Sequence, residues 1–542
     1  MKKWKVLSTN TEFSSEDKVI KELYNLRKIS DKEKFINPNV SDLNIDNTSI
    51  SKKEITKTIN RIEKAIKNNE KIIILGDYDV DGICASAILW ETIYSKYKNV
   101  FPYIPDRFTE GYGISKKTID NLLKQHPDAK LIITVDNGIV ANSPIKYAEE
   151  KSIDVIITDH HLAGDKLPEA YAIVHTTELC GAGVAWMLAS KLQFETDERI
   201  NEKLELAALA TVADLVPLTG LNRIIVKLGL KELQNTKRLG LIELMKLAKI
   251  NKKDLGVYEI GHIIGPRLNA SGRVEHAIES LRLICSNDKK YVQNVALLLE
   301  NTNRLRQQMV IDSFQHAKLS LMTKNINKII LISHESYSEG VIGLISSKLV
   351  EHFYKPAITI SLKEKISKGS ARSINGVNIV ELLRSVSHTL KEVGGHPMAA
   401  GFSIETKRIE EFYELLEKES KKLSDDKFER ELKIDMEIPS SLITESLFRK
   451  IQQFSPFGMG NPEPVFLSKK MKIVSYKKIG SDGSHLKILV KNRDKLMEAI
   501  GFGMGDLELE NTKEIDAVFT ININSWRDKK SLQLKLKDIK FK

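Results

Sequence analysis

Three short apolar runs in this chain each end in a cluster of carboxylates or imidazoles. Residues 71–75 lead into Gly76-Asp-Tyr-Asp-Val-Asp-Gly82, residues 131–135 into Asp136-Asn137-Gly138, and residues 154–158 into Asp159-His160-His161. Runs of about five residues rich in Ile and Val read as buried strands of a parallel sheet. Side chains just past the carboxyl ends of such strands meet in one crevice, where open α/β sheets place their ligands. The pattern predicts that Asp77, Asp79, Asp81, Asp136, Asp159, His160 and His161 converge on one place. Crowded carboxylates repel one another unless cations neutralise them, so the arrangement asks for metal.

Asp77, Asp79, Asp81 and Gly82 also open like a calcium-binding helix–loop–helix. That motif needs a bidentate Glu at its twelfth position and a helix in front; here the twelfth residue from Asp77 is Ile88 and a strand stands in front, which excludes it. A fourth cluster is Asp214 in the apolar run Ala210-Thr-Val-Ala-Asp-Leu-Val-Pro217. A charge among buried apolar neighbours is costly unless paired or metal-bound, so Asp214 is read as a ligand. The metal set is then Asp77, Asp79, Asp81, Asp136, His160 and Asp214, with Asp159 a ligand or an orienting partner of a histidine. His160 is assigned to the metal and His161 to substrate phosphate, since neighbouring histidines on extended backbone do not easily face one ion. Asp136, His160 and His161 are the expected catalytic residues. Oxygen-rich sites with imidazole suit Mn²⁺ or Mg²⁺. Two such ions about 3.5–4 Å apart can activate water and stabilise the leaving oxygen of a phosphoester displacement.

Basic and polar residues recur in glycine-rich settings: Arg107, Arg267 and Arg273, and Ser370 with Arg372 after Gly369. Guanidinium forks suit phosphate oxygens, and glycines let backbone N–H groups approach them. With His161, and with His396 in Gly394-Gly-His-Pro-Met-Ala-Ala-Gly-Phe402, they form the expected substrate-binding set. Taken singly, each Arg could equally serve a structural ion pair, and His396 could be a buried, hydrogen-bonded histidine.

At 542 residues the chain exceeds one core and divides into several units. Residues 1–48 read as a small helical lead-in. Residues 49–235 alternate helix and strand as a parallel-sheet α/β domain, with helices expected after the strands near 75, 104, 135 and 158. Residues 236–325 are helical and end in a long connecting helix from about 289 to 324. Residues 326–425 form a second, smaller α/β unit. From 430 to 542 five antiparallel strands are expected (471–479, 485–491, 496–502, 515–526 and 531–541). There Leu532, Leu534 and Leu536 alternate with Gln533, Lys535 and Lys537, giving one buried and one basic face. That suits an OB-type β-barrel, a common single-strand nucleic-acid module. A formal charge of +11 fits a polyanionic partner as well as a lysine-rich surface. Three widely spaced cysteines and the lack of a signal-like apolar core lead to the expectation of a cytoplasmic protein, away from membranes.

These motifs, in this order, resemble the DHH phosphoesterase superfamily, named for the triplet seen here as Asp159-His160-His161. Within it the chain is similar to the branch of single-strand-specific DNA exonucleases that degrade from the 5′ end. The matching stretches include 76–82, 107–113, 135–139, 159–161, 211–217, 265–273, 394–402 and Pro456-Phe-Gly-Met-Gly-Asn-Pro462. The resemblance implies a DHH domain, a long connecting helix, a smaller α/β DHH-associated domain and a C-terminal OB-type barrel. It also implies Mn²⁺- or Mg²⁺-dependent release of 5′-mononucleotides in DNA repair and recombination. By motif match, Asp77, Asp79, Asp81, Asp136, His160 and Asp214 carry over to the metal site. Arg107, Arg273, Ser370 and Arg372 carry over to the 5′ phosphate or backbone. Two departures stand out: Tyr337 and Ser338 replace a usual Trp-His pair, and residues 174–180 are shorter than usual.

The expected function is a two-metal 5′→3′ exonuclease on single-stranded DNA, with Tyr476, Phe502 and Trp526 as stacking candidates on the barrel. A helicase and a single-strand-binding protein are the expected partners and a monomer the expected state. The alternatives are a phosphodiesterase for short RNA or cyclic dinucleotides, whose relatives lack the barrel, and a non-catalytic replisome scaffold, whose relatives lose ligands that are all present here.

Overall fold

The computed structural model describes residues 2–541 except 108, 275–276, 323–325, 493–494, 511 and 527–528; the side chains of residues 273, 274, 492, 495, 525, 526 and 529 also lie outside the described set. Each of the three apolar runs forms a strand. β1 (Lys71–Leu75), β3 (Ala129–Val135) and β4 (Asp154–Asp159) lie side by side, with β2 (Val100–Tyr103) and β5 (Ala172–His175) at the edges. The order is β2-β1-β3-β4-β5 and every pairing is parallel. Both faces are covered, as a parallel sheet requires: Ile72 and Ile74 pack into one helical layer while Ile73 and Leu75 pack into the other.

Helix α1 (Val80–Lys96) starts on the β1 turn, where the Asp79 side chain caps it by accepting the Gly82 N–H. Like α2 (Gly181–Leu192) and α3 (Leu204–Ala213) it is apolar around most of its girth and therefore buried. The helix expected after the strand near 158 is absent. Residues 160–171 contain no helix and lead straight to β5, since a crossover of about a dozen residues suffices to reach a parallel neighbour.

The long connector is α4 (Lys289–Met322), 34 residues, about 50 Å of helix at the standard rise. It carries the chain to a second sheet of β6 (Ile330–His334), β7 (Ala357–Ser361), β8 (Ile366–Arg372), β9 (Leu390–His396) and β10 (Ala399–Glu405), ordered β9-β10-β8-β7-β6. Only β6 and β7 pair in parallel.

The C-terminal strands β11 (Phe466–Ile479), β12 (His485–Asn492), β13 (Lys495–Gly501), β14 (Glu514–Trp526) and β15 (Lys529–Lys540) close into a five-stranded barrel through the β11–β14 pairing. The barrel is not wholly antiparallel as expected: β13 and β15 pair in parallel. An odd ring of alternating strands must leave one neighbouring pair pointing the same way. Leu534 and Leu536 are buried and Lys535 between them is exposed, as the alternation predicts. The N-terminal segment is more than a helical lead-in. Lys3–Val6 pairs with Glu431–Ile434, and Phe13, Val19 and Leu23 enter the same core as Phe454 and Phe466.

Candidate metal centre and substrate cleft

The carboxyl ends of β1, β3 and β4 deliver the acidic clusters to one pocket floor. Three overlapping groups of potential ligands form there: Asp77, Asp79 and Asp136; Asp81, His160 and Asp214; and Asp136, His160 and His161. His160 Nε2 stands 3.1 Å from Asp136 Oδ1, 3.6 Å from Asp81 Oδ2 and 3.8 Å from Asp214 Oδ2. Thus all six residues read as metal-site residues come together, although Asp214 arrives separately, on the C-terminal end of α3.

Local backbone explains the convergence. Asp136 lies in the left-handed region at φ +62°, strained for a residue with a Cβ. The turn is held by buried Asn137, whose Nδ2 donates to Leu75 O (3.2 Å) and Val135 O (2.9 Å) and whose Oδ1 accepts the Ile114 N–H (3.1 Å). Asp81 sits against the start of α2 and accepts the N–H groups of Gly181 and Ala182, each at 2.6 Å, where a helix terminus favours an anion. Gly181 is needed there, because a Cβ would come within 2.6 Å of the Asp136 Cβ.

The electrostatics fit a cation. Among the described residues, Asp77 Oδ1 and Asp136 Oδ1 are buried and accept no hydrogen bond. Burial, and then the charge of Asp79, pushes the Asp77 carboxyl well above its ordinary range; burial and then Asp81 do the same to Asp136. Asp79 is raised by the same two causes, and Asp214, its outer edge a third exposed, is pushed up to about 8 by desolvation, Asp81 and Asp79. Burial lowers His160 and so favours the neutral imidazole that a metal needs. Orphaned carboxylate oxygens beside a neutral imidazole are the donor set of Mn²⁺ or Mg²⁺.

Asp159 faces away from this cluster. Its Oδ1 receives His161 Nδ1 at 2.8 Å and the His160 N–H at 2.7 Å, and its Oδ2 receives the Ile139 N–H at 2.9 Å. Although burial alone would raise it, these bonds hold its carboxyl below the ordinary range; burial likewise opposes the rise of His161, and the Asp159 hydrogen bond prevails. Asp159 is thus placed as an orienting partner. Tyr112, which sequence reading noted only within its motif, lies with its hydroxyl 3.3 Å from His161 Nε2 and donating to Asp136 O at 3.1 Å. Its position between Gly111 and Gly113, close after Arg107, was the available signal.

A cleft of about 890 Å³ is lined by Arg107, Ser338, Gly343, Lys368, Ser370 and Arg372, among others, and Arg107 links it to the acidic cluster, since its charge acts on the Asp77 carboxyl. Arg372 Nη1 donates to Ser370 Oγ (3.0 Å) and to Ala371 O (2.8 Å). Among the described residues no carboxylate pairs with it, and burial lowers its pKa. Arg107 reaches the same cleft over the ring of Tyr78, 5.0 Å from its centroid. The other expected substrate contacts fare differently. Arg267 is bound to Glu300 Oε2 at 2.6 Å and to Ile263 O at 2.8 Å, bracing α4 rather than lining the cleft. Its Nε and Nη1 are thus engaged by protein, and it stands apart from the cleft that Arg107 and Arg372 line. His396 is exposed at the end of β9, neither buried nor among the cleft-lining residues. The Arg273 side chain lies outside the described residues. Of the two departures, Tyr337 is buried and its hydroxyl meets His316 Nδ1 at 2.8 Å, while Ser338 lines the cleft.

Family models match three consecutive regions: the DHH family N-terminal domain over residues 71–212, the DHHA1 domain over 324–422 and the RecJ OB domain over 434–538. The single-stranded-DNA-specific exonuclease RecJ of Bacillus subtilis is 36% identical over 501 residues; the match takes in 90% of this chain and spans 63% of that protein's length. RecJ of Haemophilus influenzae is 30% identical over 519 residues, 89% of each chain. The crystal structure of RecJ from Thermus thermophilus in complex with Mn²⁺ superposes with a TM-score of 0.84 at 26% identity, covering 99% of this chain and 79% of that one. Its Mg²⁺ complex gives 0.78 at the same identity. With the acidic floor and the arginine-lined cleft set out above, these matches establish that the chain belongs to the RecJ family of DHH phosphoesterases.

Proposed function

We propose that this chain is a metal-dependent exonuclease that hydrolyses single-stranded DNA 5′→3′ to 5′-mononucleotides, in DNA repair and recombination. The observation that carries the reading is Arg107, which lines the same cleft as Arg372 and whose charge also acts on the Asp77 carboxyl of the acidic cluster. That cluster holds orphaned carboxylate oxygens, and Arg372 has no carboxylate partner among the described residues.

Asp77, Asp79, Asp81, Asp136, His160 and Asp214 would hold a pair of Mn²⁺ or Mg²⁺ ions, which when bound supply Lewis acidity to a phosphodiester and ease the ionisation of an attacking water. Arg372, Ser370 and Arg107 would take the terminal 5′ phosphate, the planar fork and hydroxyl being suited to its oxygens. His161, oriented by Asp159, presents Nε2 toward Tyr112 and the floor, where it can hold a phosphate oxygen or carry a proton. On the barrel, Phe502 is exposed, with Lys535 Nζ 5.7 Å from its ring centroid, and Tyr476 is partly exposed. An aromatic face next to a cation suits base stacking. Trp526 lies outside the described side chains. A helicase and a single-strand-binding protein would supply the strand to a monomer. No described helix is long and apolar enough to cross a membrane.

The test is digestion of single strands labelled at either end, with Mn²⁺ or Mg²⁺, beside duplex and RNA controls. Mononucleotides released first from the 5′-labelled end of single-stranded DNA support the proposal. Release from the 3′ end, or equal attack on duplex, refutes it.

A further inference from the structure

The motif Pro456-Phe-Gly-Met-Gly-Asn-Pro462 stands out in the sequence, yet it takes no part in the cleft chemistry. It folds as a tight turn in which Gly458 and Asn461 exchange backbone hydrogen bonds of 2.9 and 3.2 Å. The turn grips the chain just beyond Asp214. The Leu218 N–H donates to Met459 O at 2.6 Å. Gly460, at φ +71°, lies so close that a Cβ would come within 2.8 Å of Pro217 Cβ, and a Cβ on Gly458 would come within 2.7 Å of Leu218 Cδ1.

The turn is braced from behind. Asn461 is buried, and its Nδ2 donates to Phe454 O (2.9 Å) and Pro456 O (2.8 Å). Arg27 donates to Asn461 Oδ1 and to Pro462 O. Arg223, on the helix Gly220–Gln234 that follows Leu218, donates to Phe454 O (2.8 Å) and Ser455 O (2.7 Å), and its guanidinium lies 3.6 Å from the Phe35 ring centroid.

This support matters because of where Asp214 sits. Of the other five metal-site residues, Asp77, Asp136 and His160 follow closely on strand ends, and Asp79 and Asp81 sit at the cap and first turn of buried α1. Asp214 caps the end of α3, its carboxylate is a third exposed, and Leu215 after it adopts φ +58°. A helix end frays unless something outside the helix stops it. The end of α3 is closed locally, the Leu215 N–H donating to Val212 O (3.3 Å) and the Val216 N–H to Thr211 O (3.2 Å); the contacts with Pro217 and Leu218 anchor the chain just beyond that cap, and they come from the segment leading into the barrel.

We propose that the 456–462 turn is a positioning element for Asp214: by clamping Pro217 and Leu218 it sets where the Asp214 carboxylate stands in the metal cluster, so that docking of the C-terminal region completes the metal site. The inference rests on the reading of Asp214 as a metal ligand.

Its test measures Mn²⁺ binding calorimetrically on the full chain without substrate, and strand binding without divalent cation, for Gly460→Ala, Asp214→Asn and the double variant. Gly460→Ala is expected to weaken Mn²⁺ binding about tenfold, the size of effect that supporting residues of metal sites have. Metal-free strand affinity should be unchanged. In the Asp214→Asn background Gly460→Ala should add nothing, since both act through one carboxylate. Asn461→Ala, which loosens the turn without adding volume, should give the same pattern if Gly460→Ala fails to fold. Normal Mn²⁺ binding in a folded turn variant, while Asp214→Asn is impaired, overturns the positioning role alone. Normal Mn²⁺ binding by Asp214→Asn overturns the ligand reading and this inference with it.

Discussion

Asp159 and His161 form a closed local pair: His161 Nδ1 lies 2.8 Å from Asp159 Oδ1, and the same oxygen accepts the backbone N–H of His161 at 3.1 Å. The carboxylate thereby sets the ring's orientation and leaves Nε2 facing Tyr112 and the acidic floor. Asp159→Asn should lower kcat at saturating Mn²⁺ by about 10–100-fold, the range seen when an orienting carboxylate is lost. KM for the strand should change little. Steady-state kinetics on a 5′-phosphorylated oligonucleotide provide the check, and a wild-type kcat would remove Asp159 from that role.

Metal should stabilise the protein more at alkaline than at acid pH. Burial and like-charge neighbours raise the carboxyls of Asp77, Asp79, Asp136 and Asp214. Between the unfolded value of about 4 and those raised values, the metal-free folded state binds more protons than the unfolded chain. Its stability therefore falls as pH rises through that window. His160, lowered by burial, works in the opposite direction, but it is one group against four. A cation that replaces the protons removes the penalty. At a hundredfold excess over Kd, binding adds about 2.7 kcal/mol, several degrees in Tm at roughly 2–4 °C per kcal/mol for a large domain. Thermal unfolding with Mn²⁺ against chelator should show that gain at pH 8 and much less at pH 5.5. Equal gains at both would contradict the crowded-carboxylate account.

Arg372 should set the response to the 5′ end. Its guanidinium is half-buried beside Ser370 with no carboxylate partner among the described residues, which leaves its charge available to a substrate anion. Arg372→Ala should raise KM for a 5′-phosphorylated strand about tenfold or more, since a charge-assisted hydrogen bond contributes about 1.5–3 kcal/mol. It should also abolish any preference over the dephosphorylated strand. Paired kinetics on the two substrates decide it, and a preference that survives would place the phosphate elsewhere.

On the barrel, Phe502→Ala should weaken binding of long strands by about 1–3 kcal/mol, the contribution of one stacked base, and leave trinucleotide hydrolysis intact. Lys535→Ala should lower the salt dependence of binding, as fewer phosphates are neutralised. Fluorescence anisotropy across a salt series measures both. Removing everything after about residue 430 is a poor substitute, because it strips Lys3–Val6 of its strand partner and Phe13, Val19 and Leu23 of their core.

Much of the site was legible because its chemistry sits at strand ends. Ile-rich runs announce buried strands, a parallel sheet brings their carboxyl ends together, and the acidic clusters follow without further information. Roles within the site were less legible. Arg267 and Arg372 look alike in sequence, each a lone Arg in a polar setting. Folding gives Arg267 a carboxylate in Glu300, while among the described residues none pairs with Arg372, which lines the cleft. Asp159 and Asp136 likewise both end apolar strands, yet one turns toward His161 and the other into the acidic cluster, a choice made by the left-handed turn at Asp136.

By itself the sequence determined the Ile-rich strands at the centre of the first sheet, which of their ends carry charge and that those charges demand a cation, because local periodicity and like-charge repulsion act over a few residues and need no knowledge of the rest. Only the tertiary structure decided that Lys3–Val6 completes the C-terminal region, that the barrel closes through one parallel pairing, and that the 456–462 turn rests on Pro217 and Leu218 beside Asp214. The first and last of these are contacts between segments hundreds of residues apart, and the parallel pairing joins strands that are not consecutive in the chain. Their energies depend on shape and packing across the whole chain, which no local pattern encodes.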